Sequence, residues 1–144
     1  MSDRITYSLN HLVTAINAYA DRVLTDRWGL TFSEFTFLAV LEDGQPLDIT
    51  HMAECLGVSK AAVSKRVPGL RAKGYVQTVA DPANARRVVL TLTDEGTRLA
   101  HEAGGVLDAE LTQMFEGRDD LDLDRTHADV LLMLEAVLSK GTRS

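Results

Sequence analysis

The chain has 144 residues, 45% of them hydrophobic and 25% charged, enough apolar material for one compact core and too much for a disordered chain. Its longest apolar runs, 37–41 and 130–134, fall far short of the roughly 18 residues a membrane helix needs, so a soluble, cytoplasmic protein with no membrane partner is expected. The single cysteine, Cys55, excludes an intrachain disulfide framework and a four-cysteine zinc site.

The net charge of −6 is unevenly spread. From Gly57 to Arg98 the cations Lys60, Lys65, Arg66, Arg71, Lys73, Arg86, Arg87 and Arg98 face only Asp81, Asp94 and Glu95, a local charge of +5 that leaves −11 elsewhere. A basic middle between acidic arms is an electrostatic footprint for a polyanion, and the arms discourage its approach by any other face.

In chain order, Ile5, Leu9, Leu12, Ile16, Tyr19 and Val23 recur at steps of three and four, the seam of an amphipathic helix over about 5–27. Gly29 ends it, and Thr31-Phe32-Ser33-Glu34 is a capping box opening a second helix that closes near Gly44. Gln45-Pro46-Leu47 has room for a single extended pairing. Asp48 is placed to cap a third helix through Leu56. Gly57 permits a sharp turn, and Ser59 caps a fourth helix whose Val63, Val67 and Leu70 face inward, which makes a helix-turn-helix. Lys60, Ala61, Ser64, Lys65, Pro68 and Arg71 fall on its outer side. Small side chains there permit close approach to base edges, while cations and the amide-rich helix start at Ser59 meet phosphate. Pro68, followed by Gly69, predicts a kink or break between Ser64 and Leu70, because it removes a backbone bond and crowds the preceding turn at roughly 3 kcal/mol.

Two β-branched runs, Tyr75–Val79 and Val88–Leu92, predict a hairpin joined by the loop 80–87. Asn84, Arg86 and Arg87 lie at the tip of this wing, where arginine suits the negative potential of a minor groove. Thr93 is positioned to cap a fifth helix marked by Leu99, Ala103, Val106, Leu107, Leu111, Met114 and Phe115. A sixth, with Val130 to Leu134, Val137 and Leu138, is apolar nearly all round, and a second copy of the chain is the simplest cover for it. Cys55 is expected as a small core residue. His11, His51, His101 and His127 show no ligand spacing, so no metal and no cofactor are expected, and nothing suggests an enzyme.

The run Leu47 to Gly57, Val58-Ser59, Gly74-Tyr75-Val76, Asp81-Pro82, Arg86 and Leu92-Thr93-Asp94-Glu95-Gly96 resembles the MarR family of bacterial transcription regulators. The resemblance implies a mainly α fold with a small β-hairpin wing, a winged helix-turn-helix with N- and C-terminal dimerisation helices. It implies one domain over 1–144, in which 31–96 binds DNA and 1–28 and 97–144 dimerise. The function implied is that of a homodimeric, sequence-specific double-stranded DNA-binding regulator, a repressor on a pseudo-palindromic operator. Ser59, Lys60, Ala61, Ser64, Lys65, Arg71, Asn84, Arg86 and Arg87 are the residues expected at DNA. A small aromatic or anionic effector is also implied, near the dimer-to-reader junction; Trp28, Phe32 and Phe35, with His11, Leu12 and Tyr19, are the candidates there. The chain departs from the family's Asp-Pro-x-Asp-Arg-Arg wing. Asn84 and Ala85 take the fourth and fifth places, which removes the usual carboxylate brace for the arginine, and Thr78 stands where an arginine is common. Together with Pro68 these departures support an alternative, a winged-helix protein-interaction module that has lost DNA binding.

Overall fold

The structure, a computed structural model, describes residues 4–141. The outermost residues of the two expected dimerisation segments, 1–3 and 142–144, lie outside them. The elements are α1 (Ile5–Trp28), α2 (Phe32–Gly44), α3 (Ile49–Leu56), α4 (Lys60–Ala72), β1 (Val76–Asp81), β2 (Asn84–Leu92), α5 (Asp94–Glu116) and α6 (Leu123–Gly141). The chain divides into two compact units after Leu107, and each is taken by itself.

In the first unit, side-chain caps fix where the helices start, because the first amides of a helix have no partner within it. Thr31 Oγ1 accepts from Glu34 N at 3.1 Å while Glu34 Oε1 accepts from Thr31 N at 3.1 Å, completing the capping box. Asp48 Oδ1 accepts from His51 N at 2.8 Å and Ser59 Oγ from Ala62 N at 3.1 Å. Between these two starts Gly57 sits at φ +67°, a conformation glycine adopts without steric cost.

These caps aim one face of each helix at a shared core. Phe37, Leu38 and Leu41 of α2, Met52 of α3, and Val63 and Leu70 of α4 are buried there. The contribution of α1 comes from its second half, through Ala20 and Leu24, whereas Ile5 and Leu12 of the expected seam stay 63% and 48% exposed. The first half of that seam is thus largely uncovered in this unit, Leu9 alone of its three members being partly buried.

Of the kink or break expected at Pro68, the break does not occur. Helix α4 runs unbroken from Lys60 to Ala72 with Pro68 inside it. Val63, Val67 and Leu70 are buried on both sides of the proline, and burying three such side chains stabilises by about 1.5 to 3 kcal/mol each, more than the roughly 3 kcal/mol the proline costs. Pro68→Ala is accordingly expected to raise stability by about 1 to 3 kcal/mol, read as a higher thermal midpoint; an unchanged or lower midpoint would contradict this account.

The hairpin pairs β1 with β2 antiparallel, from Val76 opposite Leu92 to Asp81 opposite Asn84. The expected loop over 80–87 is corrected: most of it is strand, and only Pro82 and Ala83 turn the chain. The side chains explain the tightness, since Asp81 Oδ1 accepts from Ala83 N at 2.9 Å and Asn84 Oδ1 from Arg86 N at 3.1 Å, two local turns of the kind Asp and Asn favour. An irregularity follows between Ala80 and Asp81, where Ala85, Arg86 and Arg87 are additional residues on β2. Leu47 makes the single extended pairing expected, bridging to Leu90 with bonds of 3.2 and 2.7 Å.

At the end of the wing, Thr93 Oγ1 accepts from Gly96 N at 3.0 Å and donates to Gly74 O at 2.6 Å, so one hydroxyl both starts α5 and ties it to the end of the helix-turn-helix. In the second unit, α6 has no buried residue, and Leu131, Leu132, Leu134, Val137 and Leu138 are each more than half exposed. No described helix is long and apolar enough to cross a membrane.

Candidate nucleic-acid interface

Helices α3 and α4 and the turn 57–59 form the helix-turn-helix. With Val63, Val67 and Leu70 locked in the core, the helical period turns Lys60, Ala61, Ser64, Lys65, Pro68 and Arg71 outward, and all six are exposed, as is the cap Ser59. Within the described residues no ion pair or hydrogen bond engages the charged groups of Lys60, Lys65, Arg71 or Arg86, so their full charge faces solvent. Lys73 is different: its Nζ lies 2.8 Å from Glu34 Oε2, tying the end of α4 to the start of α2. Burial opposes ionisation of Glu34, but the Lys73 ammonium and the Thr31 amide outweigh it and hold its carboxyl below its ordinary value.

The two wing arginines have separate fates. Arg87 Nη2 lies 2.7 Å from Asp48 Oδ2 and Arg87 Nη1 3.5 Å from Asp81 Oδ2. With Asn84 in place of the usual carboxylate, a different brace stands here, made by Arg87 with carboxylates from the first wing strand and from the cap of α3. It fastens the wing to the helix-turn-helix and leaves Arg86 as the unengaged cation. The sequence conceals this, because Asp48 and Asp81 already have evident local roles as cap and turn former. His51 completes the cluster, with Nδ1 2.7 Å from Asp48 Oδ1; since a carboxylate only accepts, that nitrogen carries the hydrogen. Arg87 thus places the wing strand, while its half-exposed head still presents charge to solvent.

Asp48 is held below the ordinary aspartate range, chiefly by the backbone N–H of His51, with the His51 ring and the Arg87 guanidinium adding to it. A carboxyl with a lowered folded value stabilises above its unfolded value and loses that contribution as pH falls through the folded one. Asp48→Asn keeps an acceptor for His51 N and removes the charge. The expected result is lower amide protection in β2, exchange being taken relative to the intrinsic rate at each pH, at neutral pH in the variant, and in the wild type only on acidification below the ordinary aspartate range. Identical exchange in the two proteins at neutral pH would contradict the brace.

The effector candidates are not gathered into one site. Trp28, Phe32 and Phe35 are partly buried against the core, with the Phe32 and Phe35 ring centres 6.4 Å apart. His11 and Leu12 line a shallow hollow of about 270 Å³ with Ser8 and Ala15, all from α1, and it includes neither Tyr19 nor the aromatic group. Tyr19 lies 5.8 Å beneath the guanidinium of Arg22. Cys55, expected in the core, is exposed: Met52 and Ala53 take the inward positions of α3. His101 pairs with Glu42, and among the described residues no three His, Cys, Asp or Glu side chains converge as metal ligands.

A helix-turn-helix whose second helix leads directly into a β-hairpin, both carrying unpaired cations, defines a winged helix-turn-helix. Residues 28–87, somewhat less than half of the chain, are similar to the model of the MarR family. Over 70 residues the chain is 31% identical to the uncharacterized HTH-type transcriptional regulator YvnA of Bacillus subtilis (strain 168); the match takes in 49% of this chain and 45% of that protein, so the chain spans about half the length of the curated relative it matches. The fold is similar to that of a MarR/EmrR family transcriptional regulator from Acinetobacter sp. ADP1, with a TM-score of 0.81 and 21% identity over 96% of this chain and 95% of the other. It is also similar to Streptococcus pneumoniae FabT, solved in complex with DNA, with a TM-score of 0.78 and 18% identity over 95% and 96% of the two chains.

Proposed function

We propose that the chain is a sequence-specific regulator of transcription that binds double-stranded DNA as a homodimer and represses by occupying a pseudo-palindromic operator. The observation that carries this reading is the row of exposed, unpaired cations on α4, Lys60, Lys65 and Arg71, together with Arg86 on the wing. Ser59, Ala61 and Ser64 lie beside base edges and phosphate in this reading, with Asn84 and Arg87 shaping the wing. Residues 31–96 are the reader within the single domain 1–144, and 1–28 and 97–144 supply the dimer contacts. Support for the dimer comes from the apolar side chains that α6 leaves uncovered, and from Ile5, Tyr7, Leu12 and Val13 of α1. Two-fold pairing places two readers about 34 Å apart, one turn of duplex. A small aromatic or anionic effector releases the DNA, with His11, Leu12, Tyr19, Trp28, Phe32 and Phe35 as the residues to probe.

The alternative, an interaction module without DNA binding, loses two of its supports, because α4 continues through Pro68 and Arg87 braces the wing. A shift assay with DNA flanking the gene, repeated over salt, tests the proposal. Binding should weaken steeply with salt as counterions are released, and Arg86→Ala should make the slope shallower by about 0.9 for each protomer. Lys65→Ala should act likewise, with thermal stability unchanged in both variants. Absent binding, or binding indifferent to salt, returns the interaction module.

A further inference from the structure

Helix α4 carries two residues of low helix propensity side by side. Pro68 is exposed inside an otherwise continuous helix, and a Cβ added at Gly69 would meet nothing within 4 Å. Both residues are poorer helix formers than alanine, proline by far the more so. Gly69 has open space around it and Pro68 is exposed, which leaves the ring available to a partner outside the protomer.

Its position says where. Seven residues after Ala61, almost two full turns, Pro68 falls on nearly the same line of the helix surface. The cations Lys65 and Arg71 stand three residues before and after it, and Ser64 one turn before. The line from Ala61 to Pro68 is thus an uncharged, mostly apolar strip bordered by unpaired cations, the charge arrangement that suits a duplex whose phosphates flank base edges. Because the helix does not break, the ring is held rigidly, with no rotamer freedom to lose on contact. Having no N–H, it offers nothing to a base oxygen or nitrogen. The one apolar group that a base pair shows in the major groove is the thymine C5-methyl.

We propose that Pro68 is a specificity-determining residue whose ring packs on a thymine methyl within each half-site. This rests on the DNA-binding reading above and adds a base preference to it. The test starts from a half-site selected out of a random duplex pool, in which each thymine is replaced in turn by deoxyuridine, deleting only the methyl. Wild-type affinity should fall about fourfold at one thymine of the half-site, the effect of one methyl group removed from water, and be nearly unchanged at the others. Pro68→Ser should bind the parent duplex more weakly and treat thymine and deoxyuridine alike there, with its salt slope unchanged because no charge is lost. Pro68→Ala, a better helix former, controls for folding and should lose most of the same discrimination. A half-site with no thymine sensitivity, or a sensitivity that persists in Pro68→Ser, overturns the assignment while leaving DNA binding intact. Failure of the wild type to select any duplex overturns both.

Discussion

Gly96→Ala is expected to be the most damaging single substitution in the chain. A Cβ at Gly96 would lie 2.1 Å from the carbonyl oxygen of Tyr75 and 2.9 Å from its carbon. Those are backbone atoms, fixed in place because Tyr75 N donates to Leu70 O at 3.1 Å and Thr93 N to Tyr75 O at 3.1 Å. Relief therefore requires moving the start of α5 away from the junction of α4 and β1, and with it the Thr93 hydroxyl that joins them. Overpacking that the surroundings cannot absorb costs about 3 kcal/mol or more, a fall in thermal midpoint on the order of 10 °C for a domain of this size. Gly69→Ala is the internal comparison: its Cβ meets open space, so stability should rise by about 1 kcal/mol. Equal midpoints for the two variants would contradict the packing argument.

The largest expected effect on binding comes from removing the charge of α4 as a set. Lys60, Lys65 and Arg71 are exposed and, among the described residues, make no side-chain hydrogen bond or ion pair, so the triple alanine variant should fold with an unchanged midpoint. Its affinity should fall on the order of a hundredfold or more at moderate salt, with a slope in log salt shallower by about 2.7 for each protomer. Arg87→Ala should behave differently. It releases Asp48 and Asp81 and loosens the wing, so its loss of affinity should come with faster exchange in β2, which the triple variant leaves alone. A triple variant that binds as the wild type does would show that the polyanion is met elsewhere.

Much of the fold is written in local chemistry and is legible for that reason. Thr31, Asp48, Ser59 and Thr93 each cap the amide three residues on, and Val63, Val67 and Leu70 declare the inward face of α4 by spacing alone. The misreadings arise where a local rule meets a tertiary one. Pro68 predicts a break until the burial of Val67 and Leu70 is weighed against it. The eight-residue wing loop closes up because Asp81 and Asn84 bond their own backbone two residues ahead, and Asn84 takes the place from which the resemblance expects a carboxylate. Arg87 looks like a second loop-tip cation, yet its partners lie 39 residues before it in Asp48 and 6 before it in Asp81, distances that no motif spans. Cys55 shows how little a single residue type says about burial on an eight-residue helix with two inward positions.

The account stands or falls on the wild-type protein titrated against its selected duplex between 50 and 200 mM salt, with stoichiometry read by light scattering. It predicts two protomers for each duplex and a steep linear loss of log affinity with log salt, on the order of ten-thousandfold across that range. One protomer for each duplex, or an affinity that does not respond to salt, would contradict it.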